Sequence, residues 1–393
     1  MKTRKFSLAM LAIGGAMASA SGVNAKTADP LADCRLAYAP YSSKTPIFDL
    51  LLNLRTRAIL NEAIGGRLDQ VPARLTSTQT PSFATIMNID QLMLRIGGGD
   101  VAATKAWLDN RLKTIPVTDA DARARCARYD RDPPVLPAEI SRPALLVFDK
   151  IDGFRDGPSV DAATAALKAI AQRKKWTIIF SDKGAVFNRR DLARFDAVVW
   201  NNVSGDVLTV PQEKAFQAYL AKGGGYAGIH GAGGDPTYIW DWYADKLLGA
   251  RFIGHPMTPQ FQEARVIIDD KSSVIARGLG DGWTMKEEWY SFDRSPRASG
   301  ARIIARLDES SYNPVGYQGT DLRMGDHPIA WSRCIGNGRV FYSATGHHLE
   351  AYSNASNLTL MENGMSWAMG LEPSLCRHGK ERPRQTASRT AGK

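Results

Sequence analysis

The chain is poor in cysteine, with four in 393 residues. None stands in a CxxC pair or at metal-binding spacing from a histidine, which excludes a structural zinc finger. There is no HExxH or HxH pair, no internal repeat and no low-complexity segment. The apolar run Phe6–Met17 is short for a bilayer span and rich in Gly, Ala and Ser. A basic stripe is missing too. Net charge is +10, but Lys2, Arg4 and Lys5 carry three of those charges and the last 23 residues carry four, leaving about +3 for the body. That distribution argues against a nucleic-acid reader.

What is present begins with an export signal. MKTRK, the apolar run and small residues up to Ala25 form the three parts of a secretory leader, so residues 1–25 are read as a cleaved signal peptide and the mature protein as periplasmic or secreted, with no stable membrane insertion. Four cysteines in an oxidising compartment suggest disulfides. Pairing Cys34 with Cys126 and Cys334 with Cys376 closes each loop within one segment. Residues 371–393 read as a basic, disordered tail.

Residues 26–137 show helical spacing without strand alternation. The expectation is a helix begun by Thr45-Pro46 and running through Ile47, Leu50, Leu54 and Ile59, a second over Phe83–Ile96, a third over Val101–Leu112 and a fourth after Thr118 carrying Cys126. No polar side chains gather there at catalytic spacing, so the expected role is packing, capping or partner contact. A proline-rich linker, 138–143, follows. From Ala144 the pattern changes to short apolar runs (Ala144–Asp149, Thr177–Ser181, Ala197–Trp200, Tyr226–His230) alternating with helices. This predicts an α/β fold with a doubly wound parallel sheet whose ligands bind at the carboxyl ends of the strands. Further strands are expected at Phe261–Ile268, Arg302–Leu307, Ile329–Cys334 and Val340–Ala344, and helices at Trp240–Leu248 and Ser356–Met369.

The stretch Gly223–Gly234, GGGYAGIHGAGG, is a buried strand that stops at His230 among seven glycines, so a ligand can approach the backbone there. His347 follows the strand VFYSA and stands where such a sheet presents ligands. Glu287 and Glu288 point to opposite faces if extended, so one of them can serve a pocket. His255 and His327 each precede a proline, and His327 sits at the start of a strand. Aromatic residues, among them Trp240, Trp242, Trp289 and Trp331, are able to stack on sugar C–H faces or to fill the core. Arg155 is a candidate for a sugar hydroxyl or a carboxylate.

Taken in order, GGGYAGIH, WDWYADKLLGARFIGHP, EEWYSFDRSPR, ARLDESSY, MGDHPIAW and GRVFYSATGHHLEAY resemble the ThuA-like, or trehalose utilisation, family over residues 144–370. The resemblance implies a flavodoxin-like fold similar to class I glutamine amidotransferases and a role in carbohydrate metabolism. It carries over to His230, His255, Glu288, Tyr290, His327, Trp331 and His347. Members often have a histidine after Gly-Phe-Arg, whereas here Gly153-Phe154-Arg155 is followed by Asp156. The amidotransferases carry a nucleophilic cysteine where His230 stands, and no cysteine lies near it in sequence, which argues against thiol chemistry.

These readings combine into an exported hydrolase, lyase or isomerase acting on a small-molecule carbohydrate or keto-sugar. His230 and Glu288 are the expected acid–base pair, and His255, Tyr290, His327, Trp331, His347, Arg155 and Trp240 the expected substrate contacts. His230, His255, His327 and His347 are candidate ligands for a divalent metal, the one cofactor considered. The alternative is a carbohydrate-binding module with an eroded site.

Overall fold

Apolar runs too short to span more than one layer, punctuated by Gly, Asp and Pro, fold here into a sheet flanked by helices. The computed structural model describes residues 31–376 except 98 and 375. The signal peptide, and 377–393 of the expected tail, lie outside the described residues.

The amino-terminal region is helical, as its spacing predicts: α1 (Ile47–Leu51), α2 (Leu54–Ala63), α3 (Ile89–Ile96), α4 (Val101–Leu112) and α5 (Asp119–Cys126). The expected first helix is two, because the Asn53 side chain accepts from the amides of Arg55 and Thr56 and starts a new helix there. Likewise Phe83–Thr85 is a separate 3-10 turn, and α3 begins at a capping box of Asn88 and Gln91. Ile47, Leu50, Leu60, Ile89, Leu92 and Leu108 form a core of their own. The Cys34–Cys126 disulfide ties the start of this region to α5.

Beyond the linker come β1 (Ala144–Phe148), α6 (Gly157–Lys174), β2 (Thr177–Ser181), α7 (Arg189–Leu192), β3 (Ala197–Asn201), α8 (Val210–Ala221) and β4 (Gly225–Ile229). Short strands β5 (Phe252–Gly254) and β8 (Ser291–Phe292) pair with each other. The remaining elements are β6 (Gln262–Ile268), β7 (Gly282–Glu287), β9 (Arg302–Leu307), β10 (Pro328–Ile335), β11 (Gly338–Ser343) and α9 (Ala355–Ala368). The main sheet runs β2-β1-β3-β4-β11-β10-β9-β6-β7.

Its first five strands are parallel, in the flavodoxin-like order. Its last four are antiparallel, so the sheet is mixed rather than wholly parallel. Strands β1, β3 and β4 are buried throughout, as interior parallel strands must be. Half-buried β2 is an edge. The helix expected at Trp240–Leu248 is a π-helical turn, Tyr243–Leu248. The start of the expected tail is anchored: Cys376 is buried in a disulfide with Cys334, and the Glu372 carbonyl accepts from Arg339.

The helical region docks on the loops at the carboxyl ends of the parallel strands. Ser82 N–H and Thr85 Oγ1 both donate to the Asp152 carbonyl, Thr237 Oγ1 donates to the Ile86 carbonyl, and Phe83 stacks on Phe154 at 4.7 Å.

Candidate active site

The ends of β4, β5, β7 and β11 each contribute one group to a common point. Strand β4 stops at Ile229, and His230 takes a left-handed turn with φ +40°. That conformation is costly for a residue with a Cβ, and it aims the ring out of the strand direction. His230 Nδ1 donates to the Ala344 carbonyl at 2.7 Å just past β11, which orients the ring so that Nε2 faces Glu288. At Gly346 a Cβ would lie 3.0 Å from the His230 Cβ and 2.7 Å from the Tyr352 hydroxyl, so only glycine lets these two turns close on each other. His347 follows.

The adjacent acids at the end of β7 divide their work as their alternation requires. Glu287 is fully buried and accepts from the backbone N–H groups of Glu288, Gly346 and His348 at 2.8 Å each and of His347 at 3.2 Å, holding the loop that carries His347. Glu288 turns the other way, into the centre of three imidazoles. His347 Nδ1 donates to Glu288 Oε2 at 2.9 Å, His230 Nε2 lies 3.3 Å from the same oxygen, and His255 Nδ1 lies 3.3 Å from Oε1. Gln260 also donates to Oε1.

The electrostatics follow from this geometry. Burial opposes charge on Glu288, but His255, His230 and His347 outweigh it and hold the carboxyl well below its usual range. Burial also acts against a charged His347, yet the Glu288 hydrogen bond and charge raise its pKa above the ordinary histidine value. A carboxylate held this low is a poor proton acceptor near neutrality. An imidazole whose Nδ1–H is committed to a carboxylate keeps Nε2 for proton exchange, the logic of a catalytic dyad.

A cavity of about 690 Å³ opens over Glu288, His347, His255 and Tyr290. His230 does not line it. The ring is 3% exposed, packed against Tyr290 at 4.1 Å, and beside a separate void of about 10 Å³. His230, expected to share acid–base duty with Glu288, thus supports it from below.

Four other expected contacts fall elsewhere. His327 is fully buried, with Nδ1 on Glu309 at 2.8 Å and Nε2 on the Tyr290 carbonyl at 2.9 Å, so both nitrogens are spent on structure, and it is removed from the metal and substrate sets. Trp331 is a core residue whose indole N–H donates to the Leu248 carbonyl. Trp240 stacks on Trp242 in the core. Arg155 lies at the surface, 4.0 Å from Asp161. The aromatic lining is instead Phe and Tyr, including Phe83, Phe154, Phe252, Phe261 and Tyr317. Where a histidine was expected, Asp156 caps α6 through the Ser159 N–H.

Sequence reasoning missed Asp235 and the helical region's share of the wall. Asp235 lines the cavity, accepts from Ser204 Oγ at 2.6 Å and Gly205 N–H at 2.7 Å, and is pushed up to about 7 by burial. Its position just after the glycine stretch was the available signal. Residues such as Arg67, Arg74, Phe83 and Arg95 carried none, since only docking brings them to the site.

His230, Glu288 and His347 also bring one ligand atom each within 4.8 Å of one another. Two His and one Glu suit zinc by type, but ligands at roughly 2.0–2.2 Å in a tetrahedron stand about 3.4 Å apart. The 2.9 Å His347–Glu288 separation is that of a hydrogen bond, with a proton between the two. All four cysteines are in disulfides, so no thiol nucleophile exists.

The family model described as ThuA, trehalose utilisation, matches residues 144–368. The chain belongs to the ThuA family. The match starts at β1 and ends at α9, so it contains every histidine around Glu288 and none of the helical region. Among solved structures, a ThuA-like protein from Bacteroides uniformis is 22% identical, with a TM-score of 0.50, covering 60% of this chain and 95% of that one. Another from Parabacteroides merdae is 17% identical, with a TM-score of 0.45, covering 63% and 95%. At 22% identity the likeness to the first is one of fold. No curated protein matches the chain.

Proposed function

We propose that this ThuA-family protein is an exported enzyme acting on a keto-sugar glycoside, with His347 and His255 exchanging protons, Glu288 orienting His347, and the Pro256 carbonyl together with Glu288 holding His255. The observation that carries the reading is one carboxylate shared by three imidazoles at a cavity wall. In an elimination, one imidazole Nε2 takes the proton from the carbon between the keto group and the glycosidic carbon. The other protonates the glycosidic oxygen as its bond to carbon breaks, leaving an enone to which water can add. Protons balance between the two imidazoles and no oxidant is needed. His230 acts through Glu288 as a positioning residue. The Phe and Tyr rings offer faces for sugar C–H groups, and the family's description, trehalose utilisation, agrees with a sugar ligand. Two disulfides support export to an oxidising compartment, and among the described residues no helix is long and apolar enough to cross a membrane.

The test is turnover of paired glycosides and 3-keto-glycosides by the wild type, His347→Ala and His255→Ala. Turnover of keto-glycosides that falls by about 10²–10⁴-fold in either variant is expected. Binding without turnover of any member would instead establish a carbohydrate-binding module.

A second reading rests on Asp235. A carboxyl pushed up to about 7 in the same cavity as one held low is the pattern of an acid and a nucleophile in glycoside hydrolysis. It predicts hydrolysis of unoxidised glycosides that is lost in Asp235→Asn.

A further inference from the structure

The helical region adds charge to the cavity as well as wall. Arg67, Arg74 and Arg95 line it, and among the described residues none of the three forms an ion pair with a carboxylate. Elsewhere the arginines are mostly paired: Arg251 with Asp241 and Asp245, Arg297 with Asp269 and Asp326, and Arg302 with Asp270. Arg95 is the most built of the three. Its guanidinium sits 5.8 Å from the Phe83 ring and 5.5 Å from the Tyr317 ring, and Nη1 donates to the Gln91 carbonyl at 3.1 Å. The two nearby rings and the Gln91 carbonyl hold the fork and leave its remaining N–H groups for a planar or tetrahedral anion. Burial, aided by Arg74, pulls Arg95 below the usual arginine value, so a counter-ion here would relieve an existing strain on the charge.

The cavity's own acids do not supply that counter-ion. Glu288 is committed to the histidines and Gln260, and Asp235 to Ser204 and Gly205. Three cations among the lining residues, with no free carboxylate among the described residues that line it, leave a cavity that favours a negatively charged guest. All three arginines precede residue 144, outside the family-matched segment.

We propose that the wall formed by Arg67, Arg74 and Arg95 is an anion subsite, and that the sugar bound by this protein carries a carboxylate or a phosphate. This rests on the reading that the cavity is a sugar site, and it adds the chemical class of the sugar. In this account the family segment supplies the chemistry and the helical region selects the charged substrate.

Calorimetric titration of the full chain at low salt with glucuronate, glucose 6-phosphate and glucose tests it. At least one charged sugar is expected to bind about tenfold or more tightly than glucose, the size of one to two charge-assisted hydrogen bonds, and added salt is expected to erode the difference. Which charged sugar wins distinguishes carboxylate from phosphate. In the Arg74→Gln/Arg95→Gln variant the ratio should drop to within about threefold of unity. Should that variant fail to fold, exposed Arg74 changed alone must still lower the ratio. Equal binding of all three sugars, or a ratio that survives the arginine changes, would overturn the proposal. The ratio is also measured in His347→Ala, where it is expected unchanged. Failure of the acid–base reading would leave the ratio intact without turnover, whereas failure of the anion subsite would leave turnover without the ratio.

Discussion

The family-matched segment and the helical region before it face the same cavity with opposite habits. In residues 144–368 the polar groups at the cavity and just behind it are partnered before any ligand arrives: Glu288 by three imidazoles, Asp235 by Ser204 and Gly205, and the buried Glu287 by four amides. In the helical region the cavity-facing arginines have no such carboxylate partners among the described residues. Side chains that must move protons need fixed tautomers and shifted pKa values, which partners provide. Side chains that select a charged guest need their partner to be the guest.

The largest effect that would sharpen this contrast is on turnover. His347→Ala should lower kcat on a keto-glycoside by about 10²–10⁴-fold while the midpoint of thermal unfolding moves little, because the ring is at the cavity and not in the core. The Arg74→Gln/Arg95→Gln variant should instead raise KM with kcat nearly kept. Similar losses of kcat from both regions would erase the distinction.

Next come the ties that hold each region. Chain-entropy reasoning gives about 4.6 kcal/mol for the Cys34–Cys126 loop and about 3.9 kcal/mol for Cys334–Cys376, from separations of 92 and 42 residues. Denaturant unfolding of each Cys→Ala pair should rank them in that order. Leu60→Ala, at a fully buried position in the helical core, should cost about 2–5 kcal/mol by the same measurement. It should weaken substrate binding more than it slows the chemical step.

The smallest effect is a pH dependence. Asp235 has its folded pKa raised to about 7. Between roughly pH 4 and pH 7 the unfolded chain has lost that proton while the folded chain keeps it, so this group's contribution to stability falls as pH rises through that window and is flat above it. Asp235→Asn keeps an acceptor for Gly205 and offers an N–H to Ser204. Its stability relative to the wild type should therefore grow by about 1–3 kcal/mol from pH 5 to pH 8, followed by thermal unfolding.

How much of this could be read in the sequence differs by region for the same physical reason. The glycine-framed strand end at His230, the paired acids before Trp289 and the histidine after VFYSA are local patterns, and the fold brings their residues together at the carboxyl edge of the sheet. The disulfide pairing was legible from the division into segments, since each pair closes a loop within one of them. Direction was not. That His230 turns under the cavity depends on its φ of +40° and on the Ala344 carbonyl, a partner more than a hundred residues away. His327 stands in a motif like the others, yet Glu309 and the Tyr290 carbonyl enclose it, and only tertiary packing distinguishes a histidine held by two partners from one with a free nitrogen. The tryptophans were legible as aromatic content, but their bulk went to the core while smaller rings line the cavity. The antiparallel half of the sheet, with β7 delivering Glu288, gave only weak alternation. Nothing in residues 67–96 marks a cavity wall until the helices dock.

The central claim is that Glu288 tunes His347 for proton exchange, and NMR titration of the His347 ring in the wild type and in Glu288→Gln tests it most directly. The wild-type pKa should lie above the ordinary 6.5 and fall in Glu288→Gln, because the amide removes the charge that holds the imidazolium while leaving the ring buried. An unchanged titration, or a wild-type value at or below 6.5, would contradict the account.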